Sequence, residues 1–339
     1  MQLIFITKKR FLVFFLLLFS IFFLFACSSN LSHSPAPKSI EKNNKKEISE
    51  VPTFITNASI TTGDTASTSD SHPFIVSVEN SVASRPHSGL YKADIVWEME
   101  VEYGITRFLA VFNDELPDKV GPVRSARHYF LPIIKQMNAP FYHFGGSKFA
   151  YNEIAEEKLV TFDGTKTDVY YERDESRKAP HNAYLNTEKV NKNNSIIKNN
   201  FFKFGAFEGD KQALSIDIPY GSQLNVGYVY NPEDLQYDRQ INGSLHKDRK
   251  SGEVVQATNV IVISAVHNDL NTSSGHIDIE WEKGGNLKLF SKGTTVNGTW
   301  ESINGNIQFL DDKEQKLVLN KGKTWIQVVR DNQFQHIHY

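Results

Sequence analysis

The sequence predicts an α+β fold: a mixed or antiparallel sheet with a few helices in an N-terminal domain, followed by a β-rich C-terminal region. Three observations carry this expectation. Residues 94–103 alternate, with Ile95, Trp97, Met99, Val101 and Tyr103 on one side and Asp94, Val96, Glu98, Glu100 and Glu102 on the other. A period of two marks a strand with two unlike faces. Tyr129, Phe130, Ile133, Ile134 and Met137 fall at helical spacing. Beyond Phe207, short apolar runs recur between turn signals such as Asn242-Gly243, Lys283-Gly284-Gly285, Asn297-Gly298 and Asn304-Gly305.

The first 26 residues read as a targeting segment. Lys8, Lys9 and Arg10 precede an apolar run at residues 11–25, short for a membrane span of about 20 residues. The run ends in Leu24-Phe25-Ala26-Cys27, which resembles the lipobox of bacterial lipoproteins. Such a cysteine becomes the mature N-terminus and carries a diacylglyceryl group. Cys27 is the single cysteine of the chain, so no internal disulfide can form. The expected location is the cell membrane, lipid-anchored, on the extracytoplasmic face. Residues 27–72 are rich in Ser, Thr, Asn, Lys and Pro and read as a flexible tether. The formal charge is -2; without the first 26 residues it is 34 basic minus 39 acidic, or -5. A weakly acidic body excludes nucleic acid as partner, because phosphate neutralisation needs a basic face.

The N-terminal domain spans residues 73–206. A strand covers 74–79, and a loop at 80–89 contains Arg85-Pro86. The alternating segment turns at Gly104-Ile105 and returns over 107–112 as an antiparallel hairpin. Its three glutamates are expected to be solvated, with neutralisation of incoming arginines as the alternative. Gly121-Pro122-Val123-Arg124-Ser125-Ala126-Arg127 follows, with Ser125 as a helix N-cap and Pro132 either kinking that helix or sitting in its first turn. A short strand at 141–144 breaks at Gly145-Gly146-Ser147. Residues 148–159 are helical, 160–162 and 168–171 strand-like, 172–182 a polar loop, and 187–199 a poor Asn-rich helix. The β-rich region, residues 207–339, carries strand candidates at 214–218, 225–230, 260–265, 276–281, 286–290, 298–302, 316–319 and 324–329.

Three loops concentrate chemistry: 121–127, 143–147 and 173–182. Arg85-Pro86, Ala93-Asp94-Ile95-Val96, Gly104-Ile105-Thr106-Arg107, the 121–127 run, Gly145-Gly146-Ser147, Tyr171-Glu172-Arg173-Asp174 and Ala179-Pro180-His181-Asn182 occur in order. Together they resemble the YerB-like lipoproteins of Gram-positive bacteria, as does Gly322-Lys323-Thr324-Trp325-Ile326 near the end. The similarity covers about residues 73–330 in two regions. It implies a two-part lipoprotein body of unassigned function and transfers no catalytic residue.

The site reading therefore rests on chemistry. Arg107, Arg124, Arg127, Arg173 and Arg177 can present planar forks matched to phosphate and carboxylate. His143, His181, Asp174, Asn182, Ser147 and the amides of Gly145 and Gly146 complete an anion pocket with a proton donor. The competing reading pairs each arginine with Glu98, Glu102, Asp163 or Asp174 as structural braces. Expected ligands are an anionic wall polymer, a peptidoglycan fragment or a lipid headgroup. A serine triad from Ser125 or Ser147 lacks the Gly-x-Ser-x-Gly elbow. A metal site from His143, His181, Asp163 and Asp174 lacks a ligand framework, so neither metal nor cofactor is expected. Trp97, Trp281, Trp300 and Trp325 read as core anchors. The alternatives to a binding protein are an envelope hydrolase or transferase, with His181 and a carboxylate as acid/base, and a structural partner of a membrane complex.

Overall fold

A computed structural model describes residues 58–65, 72–191 and 201–339. The targeting segment, Cys27 and most of the expected tether and Asn-rich helix lie outside them. The alternating apolar residues build a large mixed sheet. Its three N-terminal strands are β1 (Phe74–Glu79), β2 (Ile95–Glu100) and β3 (Thr106–Phe112). β3 runs antiparallel between β1 and β2, with Trp97 opposite Leu109 and Glu79 opposite Arg107. On its other edge β2 pairs in parallel with Thr324–Arg330, which pairs in parallel with Asn259–Asp269. Strands from both halves of the chain thus form one twelve-stranded sheet among the described residues. Phe141–His143 and Thr161–Asp163 extend it beyond β1 in parallel.

Both faces of this sheet are covered. One packs Trp97, Trp281, Trp300 and Phe309 beneath α1 (Leu131–Met137) and α2 (Lys148–Glu156). The other packs Phe108, Val96 and Trp325 against a five-stranded sheet containing Ser215–Pro219, Asn225–Asn231 and Gln236–Ile241. Burying about 25 cal/mol per Å² of apolar area on each side makes this double cover the main stabilising contribution.

The cover corrects one expectation. The glutamates of β2 and of the turn after it are not solvated: Glu98, Glu100 and Glu102 are all buried. Each has its own arginine. Glu98 accepts from Arg239, Glu100 from Arg330 and Glu102 from Arg127. Burial of a carboxylate is tolerable only with such a partner.

Two helix expectations also change. Ser125 caps no helix; its hydroxyl donates to the Phe144 carbonyl at 3.1 Å. A 3-10 turn at His128–Phe130 leads into α1, where Pro132 occupies the first turn. There its missing N–H costs nothing. The helical cap is Ser147, whose Oγ accepts from the Ala150 amide at the start of α2. Helices are few and short, and strands dominate both halves. The expected strand at 168–171 lies at Tyr171–Arg173 instead, because the Asp163 carbonyl draws the Lys166 and Thr167 amides into a turn.

Part of the expected tether is docked on the body. Ser59 and Thr62 donate to Asp114 at 2.6 Å each, and Thr61 donates to Asp94 at 3.0 Å. The Gly322 amide donates to the Thr62 carbonyl. A Cβ at Gly63 (φ +72°) would lie 2.3 Å from the Phe204 ring. Hydroxyl-rich composition reads as disorder from sequence, yet here the hydroxyls satisfy two carboxylates.

Candidate functional site

The polar loops meet at the end of β1, where Glu79 closes an otherwise apolar strand. The residue is 4% exposed. Both carboxylate oxygens lie 2.9 Å from His181 Nδ1, and Ser81 Oγ donates to Oε1 at 2.8 Å. Arg124 Nε stands 3.3 Å from Oε2 as an ion pair. Glu79 therefore holds one residue from the 121–127 loop beside one from the 173–182 loop. The terminal nitrogens of Arg124 and Nε2 of His181 carry no hydrogen bond among the described residues.

Three further members, Arg173, Arg177 and Asn182, lie on the His181 loop. Arg173 lies 4.5 Å over the Phe144 ring and donates to Asn182 Oδ1 at 2.6 Å. The Phe144 amide in turn bonds the Arg124 carbonyl. Arg177 donates to the carbonyls of Ala83 and Pro86, and Asn182 Nδ2 donates to the Arg177 carbonyl. Arg124, Arg173 and Arg177 against Glu79 leave this set two positive charges in excess.

The remaining candidates are not part of that group. Arg127 points inward and clamps Glu102 with Nε and Nη2, while Nη1 donates to the Ala126 carbonyl. Burial alone would raise the Glu102 carboxyl, but the Arg127 hydrogen bonds and charge outweigh it and hold it low. Arg107 is buried and donates to the Ser125 carbonyl at 2.7 Å. Desolvation, with Arg127 nearby, pulls it down to about 9. Arg127 is thus paired with Glu102 as the competing reading has it, while Arg107 is held beneath the rim by a backbone carbonyl.

The glycine turn is closed as well. The Gly145 amide donates to Asp163 Oδ1 at 2.9 Å, and Gly146 pairs with Ala126 in a bridge. His143 Nδ1 donates to the Gly145 carbonyl at 2.7 Å. Burial keeps that ring neutral by lowering its basicity. Its Nε2 is buried without a hydrogen-bond partner. Asp174 turns away to Arg249 at 2.6 Å, and hydrogen bonds from Ser176 help hold it near 2. His181 thus takes Glu79 as its carboxylate, not Asp174 or Asp163.

Sequence reasoning missed Glu79, although a carboxylate ending an apolar strand was a usable signal. It also missed a buried chain behind it. Glu98 and Arg239, both 0% exposed, pair at 2.7 Å. Arg239 Nη1 lies 2.8 Å from His246 Nδ1, and His246 Nε2 lies 2.9 Å from His87 Nδ1. His87 Nε2 is 2.7 Å from the Glu79 carbonyl. Arginine only donates, so each imidazole must accept on Nδ1 and donate from Nε2. Both rings are then neutral. Burial, then the Arg239 charge, drives His87 down to about 3 and His246 well below the usual imidazole range.

Comparison with known proteins matches residues 61–200 to the N-terminal domain and residues 216–326 to the C-terminal domain of a family described as "Protein of unknown function (DUF3048)". The chain is 32% identical over 276 residues to YerB of Bacillus subtilis (strain 168), provisionally named a lipoprotein. That alignment covers 76% of this chain and 81% of the relative. The crystal structure of the YerB protein from Bacillus subtilis superposes with a TM-score of 0.74 at 29% identity, covering 83% of this chain and 98% of that one. In both sequence and fold, the chain belongs to the YerB family, whose two regions are the DUF3048 N- and C-terminal domains.

Proposed function

We propose that this protein is held at the extracytoplasmic face of the cell membrane by lipid on Cys27 and binds an anionic envelope ligand at the rim around Glu79. The carrying observation is the side-by-side presentation of Arg124 and His181 by one buried carboxylate. Glu79 fixes their orientation; the terminal N–H groups of Arg124 suit a phosphate or carboxylate, and His181 Nε2 donates to one when the ring is protonated. Arg173 adds a third donor, steadied by Phe144 and Asn182. The anchored location is supported by the lipobox-like Leu24-Phe25-Ala26-Cys27 and by the name given to the Bacillus relative.

The full-length chain in neutral detergent micelles is expected to bind fractionated wall polymers or anionic lipids. Arg124→Ala/Arg173→Ala should weaken this at least tenfold, since a hydrogen bond to a charged group contributes about 1.5–3 kcal/mol. Equal binding by both proteins removes the anion site. Cys27→Ser should shift the protein from membrane to soluble fractions; retention in the membrane would refute the lipid anchor.

One observation favours a second reading. A carboxylate on His181 Nδ1 with Nε2 unbonded is the arrangement of an acid/base imidazole. Under that reading, envelope material is cleaved by the native chain and not by His181→Ala. Identical product release from both sinks it.

A further inference from the structure

A second cationic cleft opens beside the same loops. It has a volume of about 240 Å³ and is lined by Ser88, Gly89, Lys92, Asp118, Lys119 and Lys250. That is small for a drug-sized molecule and ample for one compact anionic group. Its acids are already committed. Asp118 pairs with Lys250 at 2.5 Å. Asp248, also on the wall, accepts from the amides of Gly89 (2.6 Å), Lys250 (2.9 Å) and Ser251 (3.0 Å). Lys92 donates once, to the Leu116 carbonyl at 3.3 Å. Lys119 lies 4.9 Å over the Tyr184 ring and 3.9 Å from Asp174. Three lysines against two aspartates leave one positive charge in excess.

The second observation is Ser88. The residue is 2% exposed, and its Oγ has no hydrogen-bond partner. An orphaned buried hydroxyl has lost its hydrogen bond to water with nothing in return. An anion seated among the lysines would accept its proton and remove that cost.

The cleft adjoins the rim around Glu79. Ser88 and Gly121 exchange backbone hydrogen bonds, and Lys119 and Arg124 sit five residues apart on one run. Their Cα atoms are therefore at most about 18 Å apart. Two anion subsites at that spacing fit a ligand that repeats its charge.

We propose that the Ser88–Lys92–Lys119–Lys250 cleft is a second anion subsite, and that the ligand of this face is a linear polyanion bearing repeated phosphate-like groups. This deepens the anion reading above and rests on it. Linking two subsites raises affinity by about 10²–10⁴ without new contacts.

The test titrates the full-length chain in neutral micelles with orthophosphate and with linear polyphosphate. Polyphosphate is expected to bind about a hundredfold more tightly per chain. Lys92→Ala/Lys250→Ala, with an unchanged melting temperature, should lose at least tenfold of that affinity. Ser88→Ala, which removes only the orphaned hydroxyl, should lose part of it. The proposal is overturned if Lys92→Ala/Lys250→Ala binds polyphosphate as the native chain does, or if both probes bind the native chain alike. If Arg124→Ala/Arg173→Ala leaves polyphosphate binding intact while Lys92→Ala/Lys250→Ala abolishes it, the cleft stands and the rim around Glu79 is the part that fails.

Discussion

Replacing Arg239 with methionine is expected to cost the folded state about 3–5 kcal/mol, the penalty for stranding one member of a buried ion pair. Its partner Glu98 is fully enclosed. It would retain donors from Asn80 (3.0 Å) and Thr106 (2.7 Å) but lose its ion-pair partner. Arg239 also lies 4.7 Å over Trp325 and 5.3 Å over Phe108, so its loss opens a gap between two rings. Urea unfolding followed by tryptophan fluorescence measures the effect as a lowered midpoint. Adding Glu98→Gln removes the stranded charge and should restore part of the loss. A single-variant cost below about 1 kcal/mol would refute the account, because surface pairs are worth that little.

Acidification should unfold the protein in a window set by its buried imidazoles. His87 has a folded value of about 3 against 6.5 unfolded, and His246 is displaced in the same direction. Between those limits the unfolded chain binds more protons, so stability falls as pH falls. Asp94 opposes this. Burial, with Asp114 beside it, raises it to about 7 from 3.8, so the folded state binds the extra proton there. Two depressed imidazoles outnumber this one raised carboxyl, so the net slope keeps their sign between roughly pH 6.5 and 4. His143 and His267 are depressed as well and steepen it. Urea midpoints measured across this range should fall with acid. In His246→Gln, which removes one titrating ring, the slope should be visibly shallower. A slope unchanged by that substitution would show that the imidazole chain does not carry the effect.

Much of the architecture was legible because it follows local periodicity. The 94–112 hairpin, the helix after Lys148 and most C-terminal strands announce themselves through spacing and turn residues. What periodicity could not show is who covers a face. β2 reads as half-exposed because Glu98, Glu100 and Glu102 are charged, yet their arginines arrive from positions 239, 330 and 127. The strand Gln236–Ile241 escaped notice for the matching reason: its Asp238, Arg239 and Gln240 look like loop, although Arg239 is wholly enclosed. Asn306–Asp311 was missed beside its Asn304-Gly305 turn. At the candidate site, the loops were identified but their sorting was not. Arg124 and Arg127 are three residues apart in one loop; one reaches the rim and the other turns inward to Glu102. Only the placement of Glu79 at the end of β1 and of Glu102 in the turn after β2 decides which.

The two glutamate–arginine pairs along β2 also act as a proofreading device for strand alignment. Glu98 and Glu100 share one face of β2, with Trp97 and Met99 on the other, and Glu102 follows in a 3-10 turn. A one-residue slip against β3 or Thr324–Arg330 would exchange the faces. Two carboxylates would then enter the tryptophan layer, and Arg239 and Arg330 would lose their partners at once. Such a misaligned sheet would be penalised at every step along the strand, so the charges that make β2 look unsuited to a core are what admit it in a single alignment.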